Sequence, residues 1–166
     1  MGSGRPHVDG ISLGLASAHM GGPDVVVSRH HVTISGVADG QPLVFAHGYG
    51  CDQNMWRFVA PRFEDRCRVV LFDHLGAGRS DLSAYDPDRH ASLDGYASDV
   101  LELLDALDLR EVVFVGHSVS AMIGALAAIR SPERFAKLVF IGPSPRYVDD
   151  EGYVGGFAES DIDELL

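Results

Sequence analysis

Short apolar runs recur along the chain, and each is bounded by glycine, proline or charged residues. The clearest are residues 43–46 (LVFA), 68–72 (RVVLF), 112–115 (VVFV) and 138–141 (LVFI). Nearly continuous runs of this length are typical of strands that are buried on both faces of a parallel sheet. An alternating pattern over residues 25–36 (VVVSRHHVTISG) predicts further strands before the first of these runs.

Helical patterns lie between the predicted strands. Residues 92–109 carry apolar side chains on one stripe and acids opposite, which predicts an amphipathic helix. Residues 121–129 (AMIGALAAI) predict a second helix that ends near Ser131, and residues 54–63 predict a third that is interrupted at Pro61. Strands that alternate with helices at these intervals predict an α/β fold with a doubly wound, mostly parallel sheet.

The two ends of the chain differ from this central pattern. Residues 1–24 are rich in glycine, serine and histidine without periodicity, and we expect a disordered or non-native arm there. The core would then occupy residues 25–148, and residues 149–166 would begin a lid segment, with Ser160 as the cap of a helix. A solvated or lid-like segment is also favoured by seven acidic residues that follow Arg146 with no basic residue among them: Asp149, Asp150, Glu151, Glu159, Asp161, Asp163 and Glu164.

Composition narrows the classes of function. A chain of 166 residues, 46% of them apolar, is long enough for one globular domain. Its net charge of −11 argues against binding to nucleic acid or to an anionic membrane surface, since both need clustered lysine and arginine. No apolar run approaches the length of a membrane span. Because Cys51 and Cys67 follow no metal-ligand spacing and no signal segment is present, we expect a cytoplasmic protein without a metal or a cofactor.

The stretch 112–121 (VVFVGHSVSA) carries the strongest chemical signal. It has the pattern of a strand, a sharp turn and a helix, with Ser118 at the apex. A turn this tight needs small residues two positions to either side, and Gly116 meets that need fully while Ser120 meets it less well. A serine hydroxyl exposed at the start of a helix is suited to nucleophilic attack on an acyl carbon. The alternative is an ordinary Gly-Ser turn between two elements, because short motifs also match by chance.

Two further loops rich in glycine follow predicted strands. Residues 47–50 (HGYG) and 73–80 (DHLGAGRS), like the turn at 116–118, each come directly after a buried run. Catalytic groups of parallel sheets gather at the carboxyl ends of the strands, so we expect these three loops to meet. The Gly76 and Gly78 pair does not fit a dinucleotide-binding loop, because no third glycine follows at the required spacing and no helix begins directly behind it.

Five segments resemble one known family in both order and spacing. They are HGYGCDQNMW (47–56), VVLFDHLGAGRSD (69–81), YDPDRHASLDGYASDVLELLDALDL (85–109), VVFVGHSVSAMIGALAAIRSPERF (112–135) and LVFIGPSPRYVDDEGYVGGF (138–157). Together they resemble the α/β-hydrolases, and within that family the RsbQ-like group that includes the plant karrikin and strigolactone receptors. The HSVS form of the serine turn is itself similar to the plant receptors.

The resemblance implies a catalytic arrangement. Ser118 would be the nucleophile, and the backbone N–H groups of Tyr49 and Val119 would form the oxyanion hole. Two fixed N–H donors stabilise the negative charge that develops on the carbonyl oxygen in the tetrahedral intermediate. The implied substrate is a small ester or lactone, and the RsbQ-like group further implies a signalling protein as a partner.

The position of the histidines along the chain does not fit a complete catalytic triad. In the family the acid and the histidine follow the serine, whereas every histidine of this chain precedes Ser118. The resemblance therefore implies the N-terminal part of a hydrolase, C-terminally truncated and with negligible turnover. His74 and His90 are the alternative bases, while His47 and His117 are interpreted as polar groups that fix local turns.

Three interpretations of the function follow. The chain is the N-terminal part of a serine hydrolase, a signalling or receptor module that acts with a protein partner, or half of a split hydrolase. In a truncated sheet, residues 138–141 would form an exposed apolar edge that invites pairing with another strand.

Overall fold

The structure is a computed structural model that describes residues 22–165. Five strands and four α-helices are described in that part of the chain. Short 3-10 turns connect several of them, and two of these turns, Gln53–Trp56 and Ala60–Arg62, follow the second strand. In chain order the main elements are α1 (Pro23–Arg29), β1 (Thr33–Gly36), β2 (Gln41–Ala46), β3 (Cys67–Leu71), α2 (Leu93–Ala106), β4 (Val112–His117), α3 (Val119–Arg130), β5 (Phe135–Ile141) and α4 (Glu159–Leu165).

The strands form one sheet in the order β1-β3-β2-β4-β5. Strand β1 runs antiparallel to β3, and the three other pairings are parallel. The prediction of an α/β fold with a mostly parallel sheet is therefore confirmed. Because β2, β3 and β4 are parallel neighbours, the loops that follow them leave the same edge of the sheet.

Each face of the sheet has its own apolar core. Val44, Val70 and Phe114 lie on one face and pack with Leu103 and Leu104 of helix α2, along with residues of α3. The alternate positions of the same strands point to the opposite face, where the two 3-10 turns after β2 cover them. Burial on both faces explains why these strands are continuous apolar runs in the sequence.

The first predicted strand pattern is only partly correct. Of residues 25–36, only Thr33–Gly36 is a strand, and the valine run belongs to helix α1. Pro23 at the first turn and Asp24 beside the positive end of the helix dipole favour this start, and Val26 is buried against the core. The predicted arm thus loses its last residues to a helix, and its residues 1–21 lie outside the described part of the chain.

The helix predicted over residues 54–63 is wrong. The segment forms the two separate 3-10 turns, Gln53–Trp56 and Ala60–Arg62. Proline at position 61 lacks the N–H that an α-helix would need there, and Trp56 packs on Phe45 at 4.9 Å between ring centroids. Tertiary contact with the sheet therefore fixes a shape that the helical spacing alone does not predict.

The last helix begins before the predicted cap. Helix α4 starts at Glu159, one residue ahead of Ser160. The Asp161 carboxylate accepts a hydrogen bond of 2.8 Å from the Ala158 N–H, which is the return bond that a side chain three positions into a helix makes to its cap. The assignment of residues 149–166 to a lid remains a prediction.

Strand β5 lies at the edge of the sheet as it is described. It pairs with β4 on one side only, and Val139, Phe140 and Ile141 are each 41% exposed. An apolar edge of this kind is open to pairing with a further strand. Across residues 22–165, no helix combines the length and the apolar character that crossing a membrane requires.

The α2 face of the core should carry much of the stability. Leu104 is fully buried, and its replacement in Leu104→Ala would leave a cavity, so we expect the free energy of unfolding to fall by about 2–5 kcal/mol. Leu82→Ala is the matched control because Leu82 is 69% exposed, and its effect should stay within about 0.5 kcal/mol. Urea unfolding followed by circular dichroism measures both; equal losses would contradict this account of the core.

Candidate active site

Ser118 occupies the sharp turn between β4 and α3. Its backbone has φ 55° and ψ −123°, in a region that residues with a side chain rarely adopt. Its N–H donates a hydrogen bond of 2.8 Å to the Ile141 carbonyl at the end of β5. The strand, turn and helix predicted for residues 112–121 are thus present, with a strained residue at the apex.

The turn depends on a small residue before the serine. A Cβ added at Gly116 would lie 2.4 Å from the Ser120 carbonyl oxygen and 2.6 Å from the Ala121 nitrogen, both of which are backbone atoms. Glycine is therefore required at position 116 by close approach. Ser120, which the sequence analysis treats as a less suitable small residue, has its side chain fully buried and hydrogen-bonded.

The loop after β2 packs directly on this turn. A Cβ at Gly48 would come within 2.6 Å of His117 Nδ1 and 3.2 Å of Ser118 Cβ. Tyr49, the next residue, and Val119, which follows the serine, both line one cleft of about 880 Å³. The structure therefore brings Ser118 and the two predicted oxyanion donors to the same edge of the sheet.

The walls of this cleft are aromatic and aliphatic. Tyr85, His90, Leu93, Tyr96 and Ile123 line it, and none of its described lining residues is a carboxylate, a lysine or an arginine. Desolvation, with a smaller contribution from Tyr85, raises the pKa of Tyr96 to about 12. The phenol thus stays neutral at physiological pH, and no carboxylate, lysine or arginine among the described lining residues is available to bind a charged ligand.

Neither upstream histidine is aligned as a base for the serine. His74 Nε2 lies 2.7 Å from Ser120 Oγ, and burial lowers the His74 pKa well below its usual value, with His47 lowering it further. His90 has both ring nitrogens engaged, at 2.9 Å from Asp99 Oδ2 and 2.8 Å from the Asp86 carbonyl oxygen. Among the hydrogen bonds of residues 22–165, none joins Ser118 Oγ to a histidine.

His47 and His117 lie at the junction of the loop after β2 and the serine turn. The His47 ring is buried in the loop after β2, and its Nδ1 is 2.9 Å from the Gly48 carbonyl oxygen. His117 lies beside Ser118 with its Nδ1 against Gly48, and this nitrogen has no hydrogen-bond partner among the described residues. Both rings thus contribute to the junction of the two loops.

Tyr147 is the site residue that sequence reasoning missed. Its hydroxyl lies 3.0 Å from Ser118 Oγ. The backbone around it is held by a bond from the Phe157 N–H to the Tyr147 carbonyl and by the Tyr153 hydroxyl, which donates to the Arg146 carbonyl. Tyr147 follows β5, the parallel neighbour of β4, so the rule that loops after parallel strands share an edge could have drawn attention to it.

Comparison with known proteins identifies the family. Residues 41–160, which make up most of the chain, match the sequence model of a protein family described as alpha/beta hydrolase fold. The chain belongs to the α/β-hydrolase family. The resemblance seen in the sequence is confirmed, and the serine turn, the loop after β2 and the cleft all lie in the matched region of this α/β-hydrolase.

Individual proteins of the family show how similar this chain is to its relatives and how much of each it covers. Karrikin insensitive 2 receptor CA of Petunia hybrida is 43% identical over 141 residues, covering 85% of this chain and 52% of the relative. Strigolactone esterase D14 of Arabidopsis thaliana is 42% identical over 145 residues, covering 84% and 54%. A solved hydrolase from Oleispira antarctica aligns with a TM-score of 0.81 and 43% identity, covering 87% of this chain and 53% of that one. The chain spans about half the length of the curated relatives it matches.

A substitution at Gly116 tests the close approach in the α/β-hydrolase turn. We expect Gly116→Ala to lower the free energy of unfolding by about 1–3 kcal/mol, because the added methyl meets backbone that has to shift. Gly22→Ala is the control, since a Cβ there meets nothing within 4 Å; Gly22 caps helix α1, so the weaker alanine cap should cost no more than about 1 kcal/mol. Urea titration measures both, and a neutral effect at Gly116 would show that the turn relaxes freely.

Buried neutral histidines should make stability depend on pH. Burial lowers the pKa of His30 and of His74 from 6.5, so at mildly acidic pH the unfolded chain binds protons that the folded chain does not. The free energy of unfolding should therefore fall as pH drops from about 7.5 to about 5.5, above the range in which carboxylates titrate. His74→Gln should reduce this slope. Urea midpoints at three pH values measure it, and a flat profile, or a His74 C2 proton that titrates normally by NMR, would contradict the prediction.

Proposed function

We propose that this α/β-hydrolase chain supplies the nucleophile and the oxyanion hole of a serine hydrolase for small esters or lactones. The observation that carries the proposal is the strained Ser118 backbone, φ 55° and ψ −123°, at the apex between β4 and α3. Such strain persists only where the surrounding structure holds it, and it clusters at functional sites. An ordinary turn between a strand and a helix has no need of it.

The proposed chemistry is acyl transfer. Ser118 Oγ attacks the carbonyl carbon of the ester, its proton passes to a base, and the carbonyl oxygen becomes an oxyanion. The Tyr49 and Val119 N–H groups stabilise that oxyanion, and the alkoxide leaves with a proton as the acyl group remains on Ser118. Water then hydrolyses the acyl-serine and regenerates the hydroxyl, so the acid and the alcohol are the only products.

The cleft supports an uncharged substrate. Its described lining carries no carboxylate, lysine or arginine side chain, and its aromatic residues Tyr85 and Tyr96 offer ring surfaces. A net charge of −11 on the whole chain further disfavours an anionic ligand. One relative is described as a strigolactone esterase, which is consistent with the small ester or lactone proposed for this chain.

The base and its orienting acid are proposed to come from a segment equivalent to the half of the relatives that this chain does not match. No described histidine hydrogen-bonds to Ser118 Oγ, and the exposed edge of β5 is suited to pair with a further strand. In this proposal Tyr147 holds Ser118 Oγ at 3.0 Å until the histidine is present. The split-hydrolase interpretation rests on the same exposed edge, because a separate polypeptide could supply the strand that pairs with β5.

The chain by itself should turn over substrate negligibly. Without a base the Ser118 hydroxyl is a weak nucleophile at neutral pH, and loss of one triad member removes several orders of magnitude in rate. The measurement is hydrolysis of p-nitrophenyl acetate by the purified 166-residue chain. Brisk hydrolysis that Ser118→Ala abolishes would refute this prediction.

Complementation tests the nucleophile directly. The chain is co-expressed with the C-terminal half of the Arabidopsis thaliana strigolactone esterase, the part that it does not match. We expect a soluble complex that hydrolyses p-nitrophenyl acetate, with a rate about a thousandfold or more lower in Ser118→Ala. Ser28→Ala is the matched control because Ser28 is exposed on α1. Activity that survives Ser118→Ala would reject Ser118 as nucleophile, and absence of any complex would reject the split interpretation.

A second candidate function is ligand perception with a protein partner. It is favoured by the 43% identity to a protein described as a karrikin insensitive receptor. The two functions differ in rate and in binding: a receptor is expected to turn over slowly and to bind its partner only with ligand. Fast, broad esterase activity in the complemented protein, with no partner recovered in a pull-down, would count against perception.

A further inference from the structure

A buried chain of hydrogen bonds joins the two loops of the site. It involves His47 after β2, His74 after β3 and Ser120 in the first turn of α3. Their exposed fractions are 1%, 6% and 0%. Neither the nucleophile nor the two oxyanion donors accounts for these three buried polar side chains, and the buried Asp73 carboxylate lies 4.0 Å from His47 Nε2.

The bonds determine which ring nitrogens carry protons. The His74 backbone N–H donates to His47 Nε2 at 3.1 Å, so that nitrogen is an acceptor and the proton of His47 lies on Nδ1. Nδ1–H then donates to the Gly48 carbonyl oxygen at 2.9 Å. The Ser120 hydroxyl donates to the His47 carbonyl, so its oxygen accepts from His74 Nε2–H at 2.7 Å. His74 Nδ1 has no partner in the described residues, which agrees with a bare nitrogen there.

Electrostatics favour the same arrangement. Burial lowers the pKa of His74 well below its usual value, and the neighbouring His47 ring acts in the same direction. A neutral ring has one N–H and one bare nitrogen, which is what the bond to Ser120 requires. The two histidines therefore hold opposite tautomers, Nδ1–H on His47 and Nε2–H on His74.

The series of hydrogen bonds ends at the Gly48–Tyr49 peptide, whose N–H is one of the two proposed oxyanion donors. The Gly48 carbonyl and the Tyr49 N–H belong to one planar, trans peptide, so fixing the oxygen fixes the direction of the N–H on the opposite side. That oxygen accepts from the His47 ring and also from the Cys51 N–H at 3.2 Å. Ser120 adds a second restraint, since it ties the loop of Tyr49 to the helix that begins with Val119.

We propose that His47, His74 and Ser120 are positioning residues that orient the Tyr49 N–H and hold it in register with the Val119 N–H. The catalytic meaning of this arrangement rests on the proposed function, while the arrangement itself does not. A glycine at position 120 would leave the His74 Nε2–H and the His47 carbonyl unpaired in a buried place, which is unfavourable. The serine is thus a structural requirement of this pair of histidines.

The wild-type chain provides the first test. Long-range proton–nitrogen NMR spectra of the 15N-histidine-labelled, 166-residue chain report which ring nitrogen is protonated. We expect Nδ1–H for His47 and Nε2–H for His74. The other tautomer on either ring, or a doubly protonated ring at pH 7.5, would overturn the proposal. This measurement needs no variant and stands even if the Ser120 variants fail to fold.

Two substitutions test the role of the hydroxyl. Ser120→Ala and Ser120→Gly both remove it but differ in volume, and Ser28→Ala is the exposed control. We expect both Ser120 variants to shift the His74 Nε2 resonance and to change the residual dipolar coupling of the Tyr49 N–H, with couplings in α2 unchanged. A Tyr49 coupling that stays at its wild-type value, or a change in only one of the two variants, would overturn the proposal.

The outcome can be separated from that of the proposed function, because none of these spectra depends on turnover. In the complemented protein we expect kcat to fall about 10- to 100-fold in Ser120→Ala, as for a displaced oxyanion donor, with KM within about twofold. If the chain shows the expected tautomers and its Tyr49 coupling changes in both Ser120 variants, but the complemented protein shows no Ser118-dependent hydrolysis, the function is refuted and the positioning stands.

Discussion

The strained backbone of Ser118 is the constraint on which the site depends. A residue held at φ 55° and ψ −123° costs about 1–3 kcal/mol, and the cost has to be offset by the structure on either side. Gly116 lets the first turn of α3 approach the end of β4, and the Ile141 carbonyl accepts the Ser118 N–H. Strand β4 lies between β2 and β5, so its end cannot move without disturbing both neighbours.

The parallel sheet brings other loops next to the strained serine turn, and together they form the site. Since β2, β3 and β4 are neighbours that run in one direction, the loops after them meet at one edge. The meeting of loops would leave many polar backbone groups out of reach of water. The two histidines and Ser120 satisfy several of them, and the low pKa that burial gives His74 keeps that ring neutral. Rigid loops and a neutral environment are what an oxyanion hole requires.

The cleft beside the turn has a different character from the rest of the surface. The chain carries a net charge of −11, yet the described lining of the cleft is largely aromatic and aliphatic and has no carboxylate, lysine or arginine. The segment that follows β5 places the Tyr147 hydroxyl 3.0 Å from Ser118 Oγ. The serine turn thus contributes Val119 to a largely apolar cleft, and its Ser118 hydroxyl lies within hydrogen-bonding distance of a phenol.

The amino-acid sequence was enough to predict the strands, the amphipathic helix over most of residues 92–109 and the serine turn, because each depends on local pattern or on a tight steric rule. It did not determine the valine run of α1 or the 3-10 turns around Trp56, where packing on the sheet overrides local spacing. Nor did it reveal the hydrogen bonds of Ser120 or the contact of Tyr147 with Ser118. Those join residues 29 to 73 positions apart in the chain, so only the tertiary structure, which sets the proximity of loops from separate strands, could decide them.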